Sequence, residues 1–229
     1  MKQFLKHILS DKFGCEMKRV QGDQRRYREI YRQCKDFTMV GGDDYRFNLE
    51  LVDSVRDLPG DVVECGVWRG GMSAGMAMLL GSGRKYYLFD SFEGLPPAKE
   101  LDGEYAQNWL EIEDTETTHD NCTAGEEYAS EIMSRTGVEY KLVKGWFENT
   151  VPGFQGINEI AVLRLDGDWY DSTMVTLEKF FPLVTPGGLI LIDDYYYWEG
   201  CAKAVHDYLS REKSTARIRA RDNFVYIKK

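Results

Sequence analysis

The sequence predicts a doubly wound α/β fold: a seven-stranded, mostly parallel sheet with helices on both faces. Three observations carry this expectation. Short apolar runs of strand length alternate with helical segments along most of the 229 residues. Several of those runs end on acidic residues, at the edge where an open parallel sheet binds its ligands. The last two runs, "ARIRA" and "NFVYIKK", flank Arg221-Asp222 and read as a closing antiparallel pair.

Taken in order, "QRRYREIYRQCKD" and "DDYRFNLELVDSVRDL" show helical spacing, with Asp43-Asp44 placed to cap the second. Residues 1–58 are thus expected to form an N-terminal helical arm, with residues 59–229 as the main domain. "DVVECGV" is a strand, Met72 to Leu80 a helix, and "KYYLFD" (85–90) a second strand. A long polar stretch follows, of which 92–120 reads as a lid-like insertion. After it come a helix near 121–136, strand "VEYKLV" (138–143) and strand "EIAVLRLD" (159–166). "DSTMVTLEKFFPLV" is an amphipathic helix with Met174, Leu177, Phe181 and Val184 on one face, and Asp171 is its expected cap. "GLILIDD" is the fifth strand and 199–211 the next helix.

Composition narrows the function. With 43% hydrophobic and 29% charged residues, the chain reads as one soluble globular domain with a sizeable core. No apolar run approaches the ~20 residues of a membrane span. The start, "MKQFLKHILSDKFG", lacks the apolar core and cleavage site of a signal peptide. Five scattered cysteines, never spaced C-x-x-C, argue against a disulfide framework or a cysteine zinc site and for reduced, cytoplasmic thiols. A net charge of −9 argues against nucleic-acid binding. Residues 1–35 hold ten Lys/Arg against four Asp/Glu, whereas residues 92–131 hold twelve acids against Lys99 alone. Both segments read as solvated surface, with a subunit contact or acidic partner as the alternative.

"VVECGVWRGGMS" has the strand–turn–helix form of a nucleotide site, but Trp68 stands where the second glycine of G-x-G-x-x-G belongs. Backbone cannot approach a pyrophosphate there. S-adenosylmethionine fits better: it has no phosphate, its ribose calls for an acid after the second strand, and its sulfonium tolerates carboxylates. Asp90 is placed for the ribose hydroxyls and Glu64 for the methionine end. Ser91 follows Asp90, and "KGWF" contributes Gly145 with Trp146 and Phe147 as apolar walls for adenine; the alternative for the two aromatics is ordinary core packing.

"LRLDGDWYDST" and "LILIDDYYYW" end neighbouring strands, so Asp166, Asp193 and Asp194 are expected at one rim. With no Lys or Arg counted nearby, three carboxylates would repel one another unless a cation joined them. Oxygen-only ligands select a hard divalent ion such as Mg²⁺. Such an ion lowers the pKa of a bound hydroxyl, and Asp166 could take the proton as general base. Of the histidines, His206 lies within a helix and reads as structural, while His119 sits in the acidic insertion.

These stretches together, "TMVGGDDYRF", "GDVVECGVWRGG", "LFDSFEGLP", "KGWFENTVP", "LRLDGDWYDST" and "GGLILIDDYYYWEGCAKAVHDY", resemble the macrocin O-methyltransferase family of antibiotic-sugar tailoring enzymes. The resemblance runs from about Thr38 to Tyr208. It implies a class I methyltransferase fold, S-adenosylmethionine, Mg²⁺, methylation of a sugar hydroxyl and a homo-oligomer. It assigns Asp166, Asp193 and Asp194 to the metal and Asp166 also to the base. It assigns Glu64, Gly66, Ser73 and Asp90 to the cofactor, with Thr38-Met39 closing over it. Tyr195 to Trp198 would stack on a sugar or pack under the next helix. A phenolic or non-sugar alcohol acceptor, a non-catalytic cofactor-binding subunit, a nicotinamide dehydrogenase and a metal-dependent phosphoesterase are the alternatives. The lack of a lysine after Asp166 argues against a catechol acceptor, Trp68 against the dehydrogenase, and the lack of basic residues around the acids against the phosphoesterase.

Overall fold

Strands buried on both faces need covering on both faces, and the chain supplies the helices to do it. In the computed structural model, which describes residues 23–109, 121–221 and 224–229, the strands are β1 (Asp61–Cys65), β2 (Tyr86–Asp90), β3 (Tyr140–Lys144), β4 (Ile160–Leu165), β5 (Val184–Ile192), β6 (Ile218–Arg221) and β7 (Phe224–Lys228). They form one sheet in the order β3-β2-β1-β4-β5-β7-β6. The first five are parallel, and β7 is antiparallel to both β5 and β6. The helices are α1 (23–34), α2 (Gly42–Asp53), α3 (Gly71–Leu80), α4 (Glu104–Gln107), α5 (Glu126–Ser134), α6 (Phe147–Thr150), α7 (Tyr170–Phe180) and α8 (Glu199–Arg211). None among the described residues is long and apolar enough to cross a membrane.

Side chains alternate between two cores, as the period of a strand requires. Val62, Leu88 and Val162 face α1, α2, α3 and α5, packing with Leu49, Met76 and Ile132. Val63, Phe89 and Leu163 face the opposite layer with Leu177, Phe180 and Val205. Strand order reverses between β1 and β4, which opens a crevice at their carboxyl ends.

The described part of the N-terminal arm shares the first core. Tyr27 Oη donates to Asp53 (2.8 Å), Arg26 donates to the Leu79 carbonyl (2.7 Å), and Tyr45 Oη donates to the Gly71 carbonyl (2.7 Å). The Tyr45 hydroxyl occupies the notch left by Gly75, where a Cβ would stand 1.9 Å from it.

Two expected helix caps are corrected. The N-cap of α2 is Gly41, without a side-chain cap, and Asp43 and Asp44 lie in the first turn, where carboxylates favour the helix dipole. The N-cap of α7 is Trp169, and Asp171 lies in the first turn, paired with Lys99. The Tyr170 N–H is instead accepted by Asp102 Oδ1 (2.7 Å), a residue of the insertion. Asp102 is buried, also accepts the Lys99 N–H (2.7 Å), and presses on Gly200 at the start of α8. Trp169 Nε1 donates to the Pro96 carbonyl (2.8 Å). The described part of the insertion, 92–109, is thus fastened to α7 and α8.

Gly75→Ala should destabilise the fold by about 2 kcal/mol or more, because Tyr45 must leave its notch and its hydrogen bond. Urea unfolding of the two proteins measures this.

Candidate active site

The turn after β1 is set by its neighbours. The Gly66 N–H donates to the Phe89 carbonyl (2.9 Å), and the Asp166 N–H donates to the Cys65 carbonyl (2.8 Å). Gly66 has φ +91°, and a Cβ there would stand 1.6 Å from the Asp166 carbonyl oxygen. Glycine is required by the crossing of the chain after β4. Trp68 adopts φ +48°, with the Arg69 guanidinium 4.2 Å from its ring centre and 4.9 Å from that of Tyr128. Asp90 holds this turn: Oδ2 accepts the amides of Val67 (2.6 Å) and Trp68 (2.9 Å), and Oδ1 accepts that of Phe92 (2.6 Å). Burial raises its pKa against those three bonds. The α3 N-terminus, which would cradle a phosphate in a dinucleotide fold, is covered by Phe37 and Thr38, both within 3 Å of a Cβ built at Gly71.

At the ends of β4 and β5, one oxygen from each of Asp166, Asp193 and Asp194 lies within 4.8 Å of the others. That is close to the ~4 Å across an octahedron of hard-ion ligands. The expectation that these acids lack a basic neighbour is overturned by Arg164. It is 1% exposed and lies beside Glu64 in the β1–β4 register. Its Nη1 donates to Glu64 Oε1 (2.9 Å) and to Asp166 Oδ2, and its Nη2 donates to Asp193 Oδ1 (2.6 Å). Asp166 and Asp193 each keep a second oxygen for an ion, so the donors fit one. The cluster still holds more carboxylates than its single guanidinium can balance. Glu64, which also accepts from Ser73 Oγ, is pushed up to about 7 by burial against the pull of Arg164. Asp193 rises to about 6 for the same reason. Burial also raises Asp194, with the charge of Asp168 adding to it.

These groups face a cavity of ≈ 410 Å³. Of the expected site residues, Thr38, Met39, Glu64, Gly66, Asp90, Ser91, Trp146, Phe147, Asp166, Asp193 and Asp194 line it. Ser73 is buried behind Glu64, and Gly145, at φ +133°, donates its N–H to the Asp90 carbonyl (2.9 Å) from outside the cavity. His206 lies on α8, bonded to Tyr195 (2.7 Å) and away from the cavity, and His119 falls outside the described residues. None of Cys34, Cys65, Cys122 and Cys201 is in a disulfide among the described residues.

Sequence reasoning passed over Asp168 as well as Arg164. Asp168 lines the cavity at φ +60°, accepts the Trp198 indole N–H (2.8 Å), and is pushed up to about 8 by burial and by Asp166. An arginine inside the apolar run "AVLRL" and a second acid in "DGD" were the available signals. Trp198 in turn stacks on Tyr105 (centroids 5.5 Å) and meets Trp109 (5.4 Å) and Trp169 (4.8 Å).

A sheet of this order with an antiparallel seventh strand, and an acid-lined cavity at its switch point, defines a class I methyltransferase. The O-methyltransferase NovP shares the fold, with a TM-score of 0.71 and 29% identity over 84% of this chain and 82% of that one. The chain matches the macrocin O-methyltransferase (TylF) family over residues 2–229 and belongs to that family of S-adenosylmethionine-dependent enzymes. It is similar to the 8-demethyl-8-(2,3-dimethoxy-alpha-L-rhamnosyl)-tetracenomycin-C 4'-O-methyltransferase of Streptomyces olivaceus, with 37% identity over 76% of this chain and 68% of that protein. The mycinamicin III 3''-O-methyltransferase of Micromonospora griseorubida is 34% identical over 76% of this chain and 70% of that protein.

Two outcomes follow for the ion-free protein. Arg164→Met leaves Glu64, Asp166 and Asp193 without their shared counter-charge and should cost about 3–5 kcal/mol in urea unfolding. The pH dependence has a defined sign. Glu64, Asp168 and Asp193 titrate at about 7, 8 and 6 in the fold, above their ordinary 4.5 and 3.8. Between those limits the native state holds protons the unfolded chain has lost, so stability falls as pH rises. The melting temperature should drop steadily between about pH 5 and 8.5, and a flat or rising profile would contradict these shifts.

Proposed function

We propose that this O-methyltransferase transfers the methyl group of S-adenosylmethionine to a hydroxyl of a sugar or sugar-bearing natural product, with Mg²⁺ held by Asp166, Asp193 and Asp194. The observation that carries this reading is the convergence of those three acids and Asp168 on the cavity behind Gly66 and Asp90. The acceptors in the names of the rhamnosyl-tetracenomycin and mycinamicin relatives support it.

Asp90 stands at the cavity wall with lone-pair capacity beyond its three backbone bonds, which suits ribose hydroxyls. Glu64 and the acid cluster favour the cationic end of the cofactor, and Trp146 and Phe147 supply apolar walls. A divalent ion at the three acids supplies Lewis acidity that eases ionisation of the acceptor hydroxyl. In the transfer the hydroxyl oxygen gains the methyl group, the carbon–sulfur bond breaks to leave a thioether, and the hydroxyl proton passes to a carboxylate. The sequence reading gives that proton to Asp166. The geometry favours Asp168: Asp166 is tied to Arg164 within the three-acid group, whereas Asp168 lines the cavity outside that group and is aimed by Trp198. Asp166 then serves as a ligand.

Asp193→Asn should weaken Mn²⁺ or Mg²⁺ binding, measured by calorimetry, at least about tenfold and abolish turnover while sparing cofactor binding. Asp168→Asn should keep the ion and lose turnover by about 10²–10⁴-fold. Unchanged ion affinity in the first variant would remove the metal role, and full activity in the second would return the base to Asp166.

A further inference from the structure

Asp168 holds a backbone conformation that a non-glycine residue keeps only where its surroundings fix it, with φ at +60° in the left-handed region. Two hydrogen bonds restrain it. Its N–H donates to Asp194 Oδ2 (3.1 Å), and its Oδ1 accepts the Trp198 indole N–H (2.8 Å). The first holds the backbone and the second the carboxylate. The direction of the carboxylate is therefore set by whatever holds the indole.

Trp198 is buried, and three rings grip its own. Tyr105 stacks on it at 28° with centroids 5.5 Å apart, Trp109 meets it edge-on at 5.4 Å, and Trp169 meets it at 4.8 Å. Offset-stacked and edge-to-face pairs of this kind add a directional attraction to the area they bury, which fixes ring orientation. Tyr105 and Trp109 belong to the insertion, and Trp169 is tied to it through the Pro96 carbonyl. The insertion also grips the chain just after Asp168, where Asp102 Oδ1 accepts the Tyr170 N–H (2.7 Å). The neighbouring acids are held by other means. Asp166 and Asp193 are bonded by Arg164, and their amides donate to the carbonyls of Cys65 and Leu165 at the ends of β1 and β4.

Resting on the reading of Asp168 as the proton acceptor, we propose that Tyr105 and Trp109 are positioning residues: they hold the Trp198 indole, and the indole aims the Asp168 carboxylate. The insertion then orients the group that takes the proton, while the three acids assigned to the ion keep their own supports.

The test has two arms, both on the full chain. Tyr105 is 61% exposed, so its removal spares the core. In the first arm tryptophan carries ¹⁵N, and each of the five indole N–H signals is assigned by its loss in the matching tryptophan-to-phenylalanine variant. Tyr105→Ala, and separately Trp109→Leu, should speed hydrogen exchange at the Trp198 indole about tenfold. Tyr105→Phe and Trp109→Phe should keep its protection, and the Trp169 indole should be unmoved throughout. Unaltered exchange at Trp198 in both disruptive variants overturns the inference, as does an equal rise at Trp169, which marks general loosening.

The second arm measures turnover with S-adenosylmethionine, Mg²⁺ and a panel of methyl hexosides and 6-deoxyhexosides. Tyr105→Ala should lower kcat about 10–100-fold with KM and Mg²⁺ affinity unchanged, and Tyr105→Phe should restore it. Added to Asp168→Asn, the same change should cost nothing further, because it acts through the carboxylate already removed. A raised KM with kcat intact, or a loss that adds to that of Asp168→Asn, overturns the inference and leaves Asp168 as the base. Full turnover in Asp168→Asn overturns the base itself, and this inference with it, whatever the exchange shows. Where no member of the panel is methylated, the exchange arm alone decides.

Discussion

The centre of the molecule depends on a single buried guanidinium. Arg164 sits on a strand whose other residues are apolar, and it binds acids from β1, the β4 end and the β5 end at once. Burying one charge of this kind without partners would be prohibitive, and Glu64 is buried as deeply, whereas Asp166 and Asp193 stay partly exposed. Each tolerates the low-dielectric interior only because the other is there. The bond to Glu64 joins the β1 side of the cavity and the three-acid group in one electrostatic unit. A change of charge at Asp193 is felt at Glu64 through a shared donor.

Covalent geometry reinforces that unit. Gly66 lies beneath the Asp166 carbonyl, and Asp90 fastens the same turn through the amides of Val67 and Trp68. The glycine turn and the acid cluster therefore form a rigid joint across the switch point. Residues 94–96 with Trp109, and the aromatic turn after β5, border the cavity outside this joint.

What the sequence disclosed and what it withheld divide along a physical line. Short apolar runs and their spacing revealed the strands and the acids at their ends, because those features are local. The convergence of Asp166, Asp193 and Asp194 followed from adjacency of neighbouring parallel strands. Interactions bridging distant positions did not show. Arg164 and Glu64 are 100 residues apart, and Asp102 caps a helix that starts 68 residues later. Asp43, Asp44 and Asp171 have the right chemistry for capping, but each sits inside its first turn rather than before it. Ser73 and Gly145 belong to the right motifs, yet one side chain is bonded back to Glu64 and the other residue acts through its backbone. The glycine of the turn was expected for the sake of a ligand and is required by a passing carbonyl.

The indole of Trp198 touches two unlike groups, the Asp168 carboxylate through its N–H and an aromatic wall through its ring. Indole emission responds to nearby charge and to stacking, so protonation at Asp168 and occupation of the wall both alter the light this residue emits. Trp109 and Trp169 lie within energy-transfer range of it. The protein thus carries an intrinsic optical reporter in the wall of its cavity, and events there can be followed without a label.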